Sequence, residues 1–227
     1  MSYYLNDGSH VLISGATGAG SDYGGKSVLA NWWFQKSVLN GWHDVGVFFD
    51  PKGLQYVSRS DQVRRVRSLQ GLAQSYRAGY RLFDYYPRST EKDDLEQEHE
   101  RLIQMLRELP GGKIVVHDEA QSYQDSSGLN WCLSQGGNMS NSSEPTDDVR
   151  SLVVTQRPWN LGEELRANMP LKIWVGPFGN EARRFFQGEQ MEAAGKKVAE
   201  LTAPYHWSVT DGGDYVTTHQ PVPEKYA

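Results

Sequence analysis

The run Gly20-Ser21-Asp22-Tyr23-Gly24-Gly25-Lys26-Ser27 has the spacing G-x-x-x-x-G-K-[ST], and each residue type in it has a chemical use. Glycines let successive backbone N–H groups turn toward an anion, the lysine brings a cation to terminal phosphate oxygens, and the hydroxyl after it can ligate magnesium. Gly20, Gly24, Gly25, Lys26, Ser27 and Val28 are therefore the candidate nucleotide-binding residues, with ATP and Mg2+ as the ligands. The loop is long. Gly15-Ala16-Thr17-Gly18-Ala19-Gly20 already has the look of a phosphate loop, so Ser21 to Gly24 reads as an insertion that leaves Gly25-Lys26-Ser27 at a helix start. A second cluster, Lys113-Ile114-Val115-Val116-His117-Asp118-Glu119, is an apolar strand ending in two acids. Asp118 at the strand tip can hold magnesium through water, and Glu119 can polarise the water that attacks a γ-phosphate. His117 precedes the acids, but side chains alternate along a strand and no second ligand lies nearby in sequence, so it reads as structural. The third cluster is Ser151-Leu152-Val153-Val154-Thr155-Gln156-Arg157-Pro158. There the Gln156 amide, at the end of a strand beside the phosphate-loop strand, can hydrogen-bond the γ-phosphate or the attacking water and report hydrolysis.

These clusters need a scaffold that brings strand ends together. Short β-rich runs at His10 to Ser14, Val45 to Asp50, Tyr80 to Tyr86, Lys113 to His117, Ser151 to Thr155 and Leu171 to Val175 alternate with segments of helical character. That rhythm predicts an α/β fold with a mainly parallel central sheet. Val63, Val66, Leu69, Leu72, Ala73 and Tyr76 fall three or four apart, which predicts one helix over Ser60 to Tyr76. Glu91 to Leu109 reads as a second helix, stopped by Pro110-Gly111-Gly112. Tyr205 to Thr210 and Tyr215 to His219 alternate apolar and polar residues around Asp211-Gly212-Gly213-Asp214 and predict a C-terminal β-hairpin. One domain is expected over 1–227, its core about 8–200 and its hairpin and tail about 201–227.

At 227 residues, 38% hydrophobic and 11% aromatic, the chain can fill a core without staples. No apolar stretch approaches the ~20 residues that span a bilayer. The start of the chain lacks a secretory signal, so a cytoplasmic location with no integral membrane segment is expected. The single cysteine, Cys132, can form no internal disulfide. A net charge of -5 argues against a surface wrapped wholly in nucleic acid, although the charge is segregated. Leu54 to Thr90 carries seven arginines and two aspartates, a net +5, while Glu91 to Leu109 is net -4. The simple reading of each run is a solvated face.

Taken in order, the phosphate loop, Asp50-Pro51-Lys52-Gly53 after the second strand, the Asp-Glu strand and Thr155-Gln156-Arg157-Pro158 resemble the FtsK–HerA superfamily of DNA-pumping ATPases. Arg166-Ala167-Asn168-Met169-Pro170-Leu171-Lys172-Ile173 is similar to the segment that follows the Gln motif in FtsK translocases, and the resemblance covers roughly Val11 to Arg184. Short chains of this kind look most like the genome-packaging ATPases of membrane-containing icosahedral and archaeal viruses. The resemblance implies a RecA-like P-loop NTPase core of the added-strand, catalytic-Glu type, working as a ring, expected to be a hexamer. By motif, Lys26 and Ser27 would bind nucleotide and metal, Asp118 would help hold the metal, Glu119 would be the base and Gln156 the sensor. The implied arginine acting on a neighbour's nucleotide has two candidates, Arg150 first and Arg88 second, and the simple reading of either is an ordinary surface arginine. Double-stranded DNA, bound without sequence preference, is the implied partner. Its candidate contacts in the ring lumen are Arg64, Arg65 and Arg67 and the loop Gly136 to Asp148. Capsid vertex or portal proteins are further implied partners, with the protein in the host cytoplasm or at the packaging vertex. The rival reading is a virion or filament assembly ATPase acting on protein or membrane.

Overall fold

The computed structural model describes residues 9–15, 25–53, 57, 60–137, 148–176, 180–188, 191, 194–196, 206–211, 216–220 and 222. Nine strands form one sheet: β1 (Val11–Gly15), β2 (Val45–Phe49), β3 (Val63–Val66), β4 (Leu82–Tyr85), β5 (Lys113–His117), β6 (Val149–Val154), β7 (Leu171–Val175), β8 (Trp207–Thr210) and β9 (Val216–His219). Their order is β3-β4-β2-β5-β6-β1-β7-β8-β9. All pairings from β3 across to β7 are parallel, and the last two are antiparallel. Parallel strands covered on both faces can be apolar throughout, and β1, β2, β5, β6 and β7 are buried at every position. One face packs under α1 (Lys26–Leu39). The other packs under α3 (Lys92–Arg107) and α4 (Ser127–Gln135), with α2 (Leu69–Arg77) beside them.

The predicted sheet and hairpin are present, and β6 lies between the phosphate-loop strand β1 and the acidic strand β5. The strand ends after β1, β5 and β6 thus converge on one edge. β8 extends β7 and buries Trp207 edge-on against Trp33 of α1, with ring centroids 5.8 Å apart, so the hairpin covers the β7 edge. Among the described residues no helix is long and apolar enough to cross a membrane.

The helix expected over Ser60 to Tyr76 is corrected. Val63–Val66 is an edge strand paired with β4, and α2 begins only at Leu69, where Ser68 caps it by accepting from the Gly71 N–H at 3.1 Å. Buried Val63 and Val66 fit a helical stripe by spacing, yet β4 needed a partner and β-branched residues suit a strand. The Ser68 cap was the signal for the true helix start.

Candidate active site

Asp118 follows β5 directly and is fully buried. The Ser27 hydroxyl, in the first turn of α1, donates to its Oδ1 at 3.0 Å, while its Oδ2 is buried with no hydrogen-bond partner among the described residues. Burial, then the negative charges of Glu119 and Asp50, push the Asp118 carboxyl up to about 7, against opposition from Lys52 and from the Ser27 hydrogen bond. A buried carboxylate with an unused oxygen beside a serine hydroxyl is a donor set that suits a hard divalent cation. The start of α1 has no side-chain cap and no acid in its first turn, so its leading N–H groups suit an anion. Gly25 precedes it in an extended conformation, Lys26 is half-buried and Val28 packs into the core. Gly20 and Gly24, and the Ser21 to Gly24 insertion, lie outside the described residues.

Glu119 adopts φ 51° and ψ 39°, the one non-glycine with positive φ among the described residues. Left-handed backbone costs an L-residue about 1–2 kcal/mol, and here it turns the side chain back across the strand ends. Gln156 Nε2, from beyond β6, donates to Glu119 Oε1 at 3.2 Å. Gln121 Nε2 donates to Oε2, and Lys52 Nζ pairs with Oε1. Gln121 in turn accepts from the Thr155 hydroxyl at 2.7 Å, and the Arg157 N–H donates to that hydroxyl oxygen at 3.2 Å. The acid is thereby tied to the end of the expected sensor strand by two routes. Tyr123 OH donates to the Asp118 carbonyl at 3.0 Å and steadies the turn.

The structure brings Ser27, Asp118, Glu119 and Gln156 together from three separated segments. Lys52, Gln121 and Thr155 join them without having been assigned a role from sequence. Lys52 sits in a Pro-containing turn at a strand end, which was a usable signal. Gln121 had none, because its position depends on the reversed turn at Glu119.

His117 is part of a buried chain. His99 Nε2 meets its Nδ1 at 2.9 Å, its Nε2 meets Ser151 Oγ at 3.0 Å, and His99 Nδ1 meets Ser126 Oγ at 2.9 Å. Burial lowers the pKa of both rings, that of His99 to about 3. Neutral imidazoles bridging β5, β6 and α3 are a structural role. Lys172, in the Arg166 to Ile173 segment, is buried and donates to the Met169 carbonyl at 2.9 Å, closing the end of α5 (Glu163–Ala167).

Arg150 does not fit a residue that acts on a neighbouring subunit. It is fully buried near the N-terminal start of β6, opposite Ile114, at the far end of the strand from Gln156. Its charge faces Asp148 and helps depress His10 and His43. Arg88 is exposed just beyond β4, where its N–H donates to Glu98 at 3.3 Å and its Nε to the Arg67 carbonyl at 3.3 Å. It lines a cleft of about 410 Å³ together with Arg101, Glu98 and Ser68. Arg64, Arg65 and Arg67 do not share one helical face. Arg64 lies over Tyr80 at 5.5 Å and Arg67 over Tyr86 at 4.7 Å, both exposed, whereas Arg65 is half-buried with its Nε 3.5 Å from the buried Asp84. Most of the Gly136 to Asp148 loop lies outside the described residues.

The strand that leads to the glycine-rich run lies beside the strand that leads to Gln156, with the Asp118-Glu119 pair one strand further, and this fold is shared with solved structures. Two solved structures share it over their full length. The genome packaging NTPase B204 of Sulfolobus turreted icosahedral virus 2, in complex with ATP-γ-S, is 17% identical over 96% of this chain and 100% of its own, with a TM-score of 0.67. B204, the DNA-packaging ATPase of Sulfolobus turreted icosahedral virus, is 18% identical over 96% and 100%, with a TM-score of 0.65. The bacterial conjugative coupling protein TrwB is 12% identical over 90% of this chain and 82% of its own, with a TM-score of 0.60. No family model matches the chain, and no curated protein matches it either.

Proposed function

We propose that this chain hydrolyses ATP to ADP and phosphate and uses the reaction to move double-stranded DNA, most specifically into a preformed viral capsid. The observation that carries the reading is the convergence of Ser27, Asp118, Glu119 and Gln156 on one sheet edge beside an uncapped helix start. Resemblance in fold to a viral DNA-packaging ATPase and a conjugative coupling protein supports the DNA-moving part.

Ser27 and Asp118 would hold Mg2+, which when bound neutralises charge on the nucleotide's phosphate oxygens. The first-turn N–H groups of α1 and Lys26 bind and orient the phosphates. Glu119 accepts a proton from the attacking water, and its αL turn keeps its carboxylate aimed across the strand ends. Gln156 touches both that carboxylate and the sensor strand, so a change at the γ-phosphate reaches β6 directly. Arg88, exposed at the end of β4, is the remaining candidate for acting on a neighbour in a ring, taken as a hexamer. Arg64 and Arg67 are the candidate DNA phosphate contacts. Capsid vertex or portal proteins and a place in the host cytoplasm complete the reading.

The test is steady-state ATP hydrolysis with and without long double-stranded DNA. DNA should stimulate the rate, and Lys26→Ala and Glu119→Gln should each lower it by about 100-fold or more. Hydrolysis that is indifferent to DNA would overturn the translocase reading and favour an assembly ATPase acting on protein or membrane.

A further inference from the structure

Among the described residues three side chains bond the Glu119 carboxylate, and of these Lys52 alone brings a charge; Gln121 and Gln156 are neutral amides. Its backbone is fixed. Asp50-Pro51-Lys52-Gly53 is a turn in which the Gly53 N–H donates to the Asp50 carbonyl at 3.2 Å, with proline at the second position. Gly53 has φ 67°, and a Cβ there would lie 2.9 Å from the Tyr86 ring and 3.1 Å from the Arg65 guanidinium, so the turn is packed tightly from one side. The Lys52 side chain, by contrast, is 43% exposed and has room to swing.

Asp50 and Asp118 are fully buried close by, and Asp50, Glu119 and Lys52 are all near enough to influence the Asp118 carboxyl. A base that activates water stands about one water molecule from the phosphorus it attacks. A cation in contact with that base is therefore one side-chain rotation from the terminal phosphate oxygens. A terminal phosphate carries about 1.5 to 2 negative charges, whereas a carboxylate carries one. The phosphate should therefore win the ammonium in competition, and an arriving triphosphate would leave Glu119 with its two neutral donors.

We propose that Lys52 is a specificity-determining residue that reads the γ-phosphate: Glu119 holds it in reserve in the nucleotide-free protein, and a triphosphate, unlike a diphosphate, draws it away. The exchange links recognition of the third phosphate to release of the base. It rests on the reading of this site as one that hydrolyses ATP.

The experiment is equilibrium binding of a non-hydrolysable ATP analogue and of ADP, with Mg2+, to the full chain and four variants. Lys52→Ala should weaken the analogue about tenfold and ADP less than about twofold, the size of one charge-assisted hydrogen bond. Lys52→Arg should keep the preference for the triphosphate. Glu119→Gln, which gives up the ion pair, should tighten the analogue about threefold to tenfold. In Lys52→Ala/Glu119→Gln that tightening should shrink below about twofold, because the lysine is its route. Thermal unfolding midpoints within about 2 °C of the parent would show the exposed Lys52 variants to be folded. Equal weakening of analogue and ADP, or a Glu119→Gln gain that persists undiminished without Lys52, overturns the proposal while leaving the ATPase reading in place. A parent protein that binds neither nucleotide overturns both.

Discussion

Strands β5 and β6 bury charge at both of their ends, and the two ends treat it differently. At the N-terminal end Arg150 and Lys113 are fully buried and their charges act on buried Asp148, whose Oδ1 meets no hydrogen-bond partner among the described residues, and His10 and His43 stand by as neutral rings. At the C-terminal end Asp118 is equally buried with an oxygen likewise unpartnered among the described residues, but there the acids Glu119 and Asp50 push its carboxyl up, and Glu119 sits in a strained backbone. Buried charge facing opposite charge within the chain holds the fold together. Buried charge crowded by like charge, beside strained backbone, is kept for something that arrives from outside.

The largest effects should separate the two ends. Arg150→Met removes a fully buried guanidinium whose charge acts on Asp148 and should cost about 2 kcal/mol or more in urea or thermal unfolding. Glu119→Gln should change stability by less than about 1 kcal/mol while abolishing most hydrolysis. An Arg150→Met protein that folds normally and loses only hydrolysis in the assembled state would break the contrast and return Arg150 to the candidates for acting on a neighbour.

The buried acids and the buried histidines should also answer pH in opposite senses, at whichever end of the strands they lie. Folding raises the Asp118 carboxyl from 3.8 to about 7, so its contribution to stability is full below pH 3.8 and is lost as pH rises through about 7. Folding lowers His10 to about 4 and His43 to about 3, so theirs is present above pH 6.5 and is lost as pH falls toward those values. Without Mg2+ or nucleotide, stability should decline on the alkaline side between pH 5 and 7 by roughly 1 kcal/mol per pH unit from Asp118. Asp118→Asn should shrink that limb to what Asp148, also raised by burial, contributes, and leave the acid limb of the histidines alone. Mg2+ with nucleotide should do likewise in the parent protein and release up to about one proton near neutral pH, measurable by calorimetry in two buffers. An unchanged neutral limb in Asp118→Asn would count against the open carboxylate.

What could be read from the sequence divides along the same line. Lys26, Ser27, Asp118, Glu119 and Gln156 stand out because strand ends and glycine turns are local features, and parallel strands bring such ends to one edge. The sheet itself was legible from the rhythm of apolar runs. Val63 to Val66 was misread because their spacing suits a helix as well as a strand, and only the open edge of β4 decides. Arg150 looked like a surface arginine because nothing local tells that Asp148 will be folded in against it. Gln121 depends on the reversal of the chain at Glu119, which no residue type announces, whereas Lys52 stands in a Pro-containing turn at a strand end.

The arginine run on β3 repeats the contrast at smaller scale. Arg65 is closed onto buried Asp84, while Arg64 and Arg67 are exposed over tyrosine rings that leave their N–H edges available to an anion. Arg65→Ala should therefore destabilise the fold by about 1 kcal/mol, by removing the guanidinium beside a buried carboxylate. Arg64→Ala and Arg67→Ala should each leave stability within about 0.5 kcal/mol. Each should lower DNA affinity by a few-fold and reduce the slope of log affinity against log salt by about 1. Affinity measured over a range of salt concentrations reads this directly. If Arg65→Ala changes the salt slope and Arg64→Ala and Arg67→Ala do not, exposure and pairing do not predict which arginines DNA would use, and its track must lie elsewhere on the subunit.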